Sequence, residues 1–97
     1  MLFQGKNNGI VTFICELKPD AKEVYLAGDF NQWHPKETIM LKARDGSFRT
    51  AMKLPPGQYQ YKFTIDGIWH NDPDAPRHEN NQSGMLNSAF VVEKNDK

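Results

Sequence analysis

The sequence of 97 residues predicts an all-β fold, an antiparallel β-sandwich of about seven strands. Three observations predict it. No segment carries the apolar spacing of an amphipathic helix. Short runs alternate apolar and polar side chains, most cleanly at residues 58–66, where Tyr59, Tyr61, Phe63 and Ile65 face one way and Gln58, Gln60, Lys62, Thr64 and Asp66 the other. Turn formers, among seven Gly and six Pro, separate these runs at intervals of roughly 8–12 residues, the spacing of immunoglobulin-like sandwiches. The two-cysteine pattern of antibody domains is absent, because Cys15 stands alone.

The elements follow in order. Residues 1–9 read as a flexible lead, polar from Gln4 to Gly9. Residues 10–17 form a strand with Val11, Phe13, Cys15 and Leu17 inward and Thr12 and Glu16 among those opposite. Ile14 on the outer face implies that both faces are partly covered. After a turn cluster at 18–22, residues 23–29 form a second strand, with Val24 and Leu26 on one face and Tyr25 and Ala27 on the other. Residues 30–36 are a loop holding Trp33, and residues 38–43 a short strand. Asp45-Gly46 predicts a type I′ hairpin, returning through 47–54 with Phe48, Met52 and Leu54 inward. Pro55-Pro56-Gly57 suits a type II turn. Residues 71–87, rich in Asp, Pro, Asn and Gly, read as one long loop of functional type. Residues 88–94 close the sheet with Phe90 and Val92 inward, and 95–97 fray. The chain is expected to be one domain over 1–97, with its core within 10–94.

Charge narrows the partners. Twelve basic residues balance twelve acidic ones, with a pI near 6.8. Nucleic-acid backbones and anionic membrane surfaces both select a basic footprint, so neither is an expected partner. A mean hydropathy of −0.71 excludes a long apolar membrane helix. The first residues carry neither a basic nor an apolar signal region, which favours a cytoplasmic setting or a piece cut from a larger protein. Cys15 lies on an inward face and reads as a small core residue.

Asp66-Gly67 locates one tryptophan. If these two residues are the centre of a hairpin, Ile65 faces Ile68, Thr64 faces Trp69 and Phe63 faces His70. Directly paired residues share a face. Ile68 should therefore join the core with Ile65, and His70 lie at its rim. Trp69 should share the outer face with Thr64 and Lys62. A longer loop would shift the register and send Trp69 into the core instead. Trp33, in a polar loop beside Pro35, reads either as a second exposed ring or as a lid on one end of the sandwich.

Exposed indoles beside Lys and Asn suit a carbohydrate. A pyranose offers a flat patch of polarised C–H groups to the negative face of an aromatic ring. Lys62 donates to hydroxyls, and Asn80, Asn81 and Asn87 both donate and accept. Each stacked sugar covers about 100 Å², worth roughly 2.5 kcal/mol.

The same residues carry a family resemblance. Val24-Tyr25-Leu26-Ala27-Gly28-Asp29-Phe30-Asn31-Gln32-Trp33 resembles the first signature of the glycogen-binding domains of AMP-activated protein kinase β subunits. Leu54-Pro55-Pro56-Gly57-Gln58-Tyr59-Gln60-Tyr61-Lys62-Phe63 and Asp66-Gly67-Ile68-Trp69-His70-Asn71-Asp72-Pro73 resemble the second. Asn87 falls at the family's final asparagine. The wider group is carbohydrate-binding module family 48, which includes the early-set domains of branching enzymes and isoamylases. The resemblance runs over about residues 11–92. It implies an early-set, immunoglobulin-like sandwich that binds α-1,4-glucans such as glycogen, starch and malto-oligosaccharides. It also implies stacking on Trp33 and Trp69 and hydrogen bonds from Lys62 and Asn87. A glycogen-metabolising enzyme or a kinase is the protein partner it implies. One departure stands out. The family carries a leucine before the final asparagine, where this chain has Ser83, with Met85 as the available substitute.

Other chemistry is weaker. His70, Asn71, Asp72 and Asp74 lack zinc-ligand spacing and the acidic glycine-bearing loop of an EF-hand. The acids Asp29, Asp66, Asp72 and Asp74 suit turn and cap roles better than a hydrolytic pair. No phosphate-cradling loop or nucleophile elbow is present. The expectation is a non-catalytic binding module without cofactor or metal. The rival reading is an early-set sandwich without sugar binding, serving as a protein-interaction or spacer domain.

Overall fold

A computed structural model describes residues 1–5, 9–81 and 83–93. Its strands are β1 (Leu2–Gln4), β2 (Ile10–Cys15), β3 (Val24–Gly28), β4 (Thr38–Lys42), β5 (Phe48–Lys53), β6 (Gly57–Ile65), β7 (Ile68–His70), β8 (Arg77–Asn80) and β9 (Leu86–Val92), with one short 3-10 helix at Asp29–Asn31. Every strand pair is antiparallel. The order is β1-β2-β5-β4-β3-β6-β9-β8, with β7 also on β6. One layer holds β1, β2 and β5. The other holds β3, β6, β7, β8 and β9. β4 joins them, pairing with β3 through Met40 and with β5 through Leu41. Among the described residues, no helix is long and apolar enough to cross a membrane.

Alternation along the strands builds the core. Phe13 of β2 meets the rings of Tyr61 on β6 and Phe90 on β9 edge to face, with centroids 5.2 and 5.5 Å apart. Offset and edge contacts of this kind add to the stabilisation from buried area. Val11, Val24, Leu26, Met40, Phe63 and Val92 fill the remainder. Cys15 is buried as expected, and that burial raises its thiol pKa. Ile14 is also buried, beneath the N-terminal residues, where its N–H donates to the Met1 carbonyl at 2.7 Å.

Several expectations are corrected. The lead contains β1, which pairs with β2 at Leu2↔Phe13. Leu17 is exposed, because β2 ends at Cys15. At Asp45-Gly46 only Gly46 has a positive φ, 88°. The loop takes three residues, Arg44, Asp45 and Gly46, closed by the Ala43 N–H donating to the Ser47 carbonyl at 2.7 Å. The Asp45 carboxylate fixes this form by accepting from the N–H and the hydroxyl of Ser47 at 3.0 and 2.6 Å. Gly57, at φ 156°, opens β6 rather than holding the φ near +80° of a type II turn.

The long loop expected at 71–87 contains β8 and the start of β9. Its order comes from polar anchors that leave no apolar period. Asp72 N–H donates to Ser88 Oγ at 2.7 Å, and Asn71 Nδ2 to the Leu86 carbonyl at 3.0 Å. Asp72 is 1% exposed. It accepts from the Tyr61 hydroxyl at 2.6 Å and from the Met1 amine. Burial first, then the bond to Asp72, pushes the Tyr61 hydroxyl far above its ordinary pKa. The expected ends at residues 94–97 lie outside the described residues.

Candidate functional site

The site is built on the outer face of the larger layer. Alternation along β6 turns Gln60, Lys62 and Thr64 to that face. Asp66 and Gly67 both have positive φ, 50° and 86°, the pair of values a type I′ turn demands. The Asp66 carboxylate anchors the turn, accepting from the N–H groups of Lys22 and Glu23 at 2.9 Å each. These bonds hold its carboxyl below the usual carboxylate range. The resulting register is Ile65↔Ile68, Thr64↔Trp69 and Phe63↔His70. Trp69 therefore stands on the face of Lys62 and Thr64, 44% exposed.

The same register does not bury Ile68. It is 63% exposed, and His70 is exposed as well. β7 is a three-residue edge strand, paired among the described residues with β6 alone. The core-side position of Ile68 lies beyond the cover of the opposite layer.

Trp33 reaches the same place by a different device. β3 ends at Gly28, and the chain turns through Asp29–Asn31. Asn31 is buried and pins the turn. Its Oδ1 accepts from Gly28 N–H at 3.0 Å, and its Nδ2 donates to the Leu26 carbonyl at 3.0 Å and Thr38 Oγ1 at 3.1 Å. Gln32 and Trp33 then take left-handed backbone, φ 55° and 60°, a conformation that costs about 1–2 kcal/mol at each residue with a Cβ. The Trp33 N–H, donating to the Gly28 carbonyl at 2.9 Å, offsets part of that cost. Trp33 Nε1 donates to Asp29 Oδ1 at 3.0 Å.

The two indoles meet with centroids 6.5 Å apart and planes inclined by 42°. Below them opens a cavity of about 500 Å³. Of the residues expected from the sequence, Trp33, Lys62, Trp69, Asn81, Met85 and Asn87 line it, together with Asp29 and Gln60. Asn87 is 5% exposed, and its Nδ2 donates to Gln60 Oε1 at 2.8 Å.

Ser83 does not line the cavity. Asn81 explains why. Its Oδ1 accepts from the N–H groups of Ser83 and Met85 at 2.9 and 3.0 Å. The tight loop presents Met85 to the cavity and leaves Ser83 outside. Asn80, at the end of β8, is also outside. Gln60 was legible from alternation, two residues before Lys62 on one face. Asp29 had no such signal, since its role depends on a turn that brings it back to Gln60.

Aromatic walls with amide, ammonium and carboxylate groups at the rim suit an uncharged, polyhydroxylated ligand. Among the described residues no group of three or more His, Cys, Asp or Glu is arranged to hold a metal ion.

Comparison with known proteins agrees with this chemistry. Residues 11–97 match the family described as the glycogen recognition site of AMP-activated protein kinase. The rat 5'-AMP-activated protein kinase subunit beta-1 is 40% identical over 75 residues, 77% of this chain and 26% of that protein. The mouse subunit beta-2 is 39% identical over the same length, 27% of that protein. The chain thus spans about a quarter of the length of these relatives. Among solved structures, the maltogenic amylase from S. marinus superposes with a TM-score of 0.76 at 25% identity, covering 99% of this chain and 16% of that one. That likeness supports the sandwich architecture, and the family match spans almost the entire sequence. The chain belongs to the carbohydrate-binding family that forms the glycogen recognition site of AMP-activated protein kinase.

Proposed function

We propose that this chain is a non-catalytic module that binds α-1,4-linked glucans by stacking them on Trp33 and Trp69. The observation that carries the reading is the inclined indole pair above Lys62 and Asn87. A 42° inclination fits a chain whose successive rings turn relative to one another, as α-1,4 linkage makes them. A flat β-1,4 chain would favour coplanar rings. Lys62 donates to sugar hydroxyls. Asn87, tied to Gln60 through Nδ2, serves as the acceptor. Met85 supplies the apolar contact that Ser83 does not.

Two stacked sugars contribute about 5 kcal/mol, which alone corresponds to a Kd of about 0.2 mM before association costs, so a Kd between about 1 μM and 1 mM requires the hydrogen bonds to Lys62 and Asn87 as well. Weak sites of this kind suit a multivalent polymer such as glycogen or starch, where avidity accumulates. The relatives are kinase β subunits, so a kinase assembly is the protein partner of choice.

The test is titration with maltoheptaose, followed by tryptophan fluorescence and by retention on amylose. Trp69→Ala should weaken binding roughly 50- to 100-fold, the equivalent of one lost stack. A folded Trp69→Ala protein with unchanged retention would refute the assignment.

A further inference from the structure

Trp69 lines a second cavity. This one, of about 170 Å³, is bounded by Glu23, Tyr25, Lys36 and Thr64 as well as by Trp69. Register explains the placement. Tyr25 of β3 pairs with Thr64 of β6, and Thr64 pairs with Trp69 of β7. The three side chains therefore form one row across three strands, on the face that also carries Lys62. The indole of Trp69 is the common wall of the two cavities.

Resting on the reading of the first cavity given above, we propose that the second is a further subsite for the same glucan, occupied only by chains long enough to pass Trp69. Its chemistry repeats that of the first on a smaller scale. The Tyr25 ring and the Trp69 edge supply apolar surface. Glu23 accepts from hydroxyls, and Lys36 donates to them. Thr64, 3% exposed, closes the floor of the cavity, its Oγ1 donating to the Pro35 carbonyl at 3.1 Å. Glu23 and Lys36 are exposed, so their side chains are free to adapt without disturbing the core. A polymer held on Trp69 presents its next residues to this cavity, and their binding adds no second association cost.

The experiment compares maltotriose with maltoheptaose by calorimetric titration of the whole chain and of the Glu23→Ala/Lys36→Ala double variant. Two hydrogen-bonding groups are lost, so maltoheptaose affinity should fall about tenfold in the variant. Maltotriose affinity should stay within about twofold, since the groove of Lys62 and Asn87 is intact. Equal affinities of the double variant and the parent for maltoheptaose would overturn the subsite while leaving the first cavity standing. Equal losses for both sugars would overturn it too, by placing Glu23 and Lys36 in the primary groove. Failure of the parent chain to bind either sugar would overturn the reading of the first cavity and this one together.

Discussion

Asp29 holds Trp33 by its indole nitrogen, accepting from Nε1 at 3.0 Å, while its other carboxylate oxygen accepts from the backbone N–H of Gln60 at 2.7 Å. One carboxylate thereby ties the turn after β3 to β6, the strand that carries Lys62. The orientation of the Trp33 indole is coupled to the floor of the groove. Asp29→Ala should leave the sandwich folded and weaken maltoheptaose binding about 3- to 10-fold, the loss of a charge-assisted hydrogen bond expressed partly as disorder of Trp33. Calorimetry together with tryptophan anisotropy checks this. An unchanged affinity would mean that Trp33 is positioned without Asp29.

Gly28 is required for space. Its φ of −176° is open to any residue, but a Cβ there would come within 2.6 Å of the Gln60 carbonyl and 2.7 Å of the Phe30 ring. Backbone on one side and a packed ring on the other leave little room to yield. Gly28→Ala should destabilise the fold by about 1–3 kcal/mol, the usual cost of overpacking. It should also reduce glucan affinity, because β3 feeds the Trp33 turn. Urea unfolding and titration of the same sample measure both effects.

The Tyr61–Asp72 bond tests the core separately from the groove. Tyr61→Phe removes the hydroxyl that donates to the buried Asp72 carboxylate at 2.6 Å. Hydrogen bonds to charged groups contribute about 1.5–3 kcal/mol, so Tm should fall by roughly 10 °C in a domain of this size. Glucan affinity should not change, since neither residue lines the groove.

Acid should loosen the β4–β5 hairpin through Asp45. The Ser47 hydroxyl, then its N–H, and after them Arg49 hold the Asp45 carboxyl at about 2, from an ordinary 3.8. A carboxyl depressed in the folded state stabilises it above the unfolded pKa and loses that contribution as pH falls through the folded value. Stability should therefore decline between about pH 4 and pH 2, and Asp45→Asn should flatten that part of the curve. Thermal melts across this window decide it, and parallel curves for the two proteins would remove Asp45 from the account.

Much of this was legible because one hairpin was. Asp66-Gly67 has few alternatives as a two-residue turn, and once its register is set, Trp69 must share a face with Thr64 and Lys62. The inward alternation of Tyr61, Phe63 and Ile65 held for the same reason. What escaped depended on distance in the sequence. Pairing rules say which face Ile68 takes but not whether the opposite layer extends far enough to cover it. β8 carries charged and amide side chains and is held by pairing with β9, so no apolar period announces it. Asp29 has the turn role its residue type suggests, but the turn also folds its carboxylate back onto β6 and into the cavity wall, and the Asn81 loop leaves Met85 rather than Ser83 at the cavity.

The left-handed backbone at Gln32 and Trp33 has a kinetic consequence. Its strain is met when the chain folds, so the turn that carries Trp33 needs no further ordering when a ligand arrives. Recognition then resembles the docking of a rigid surface, in which association is fast and affinity is set mainly by the rate of departure. Weak contacts made on such a surface exchange quickly. A module of this design would stay with a glucan particle while releasing any one chain, moving across the polymer between brief encounters.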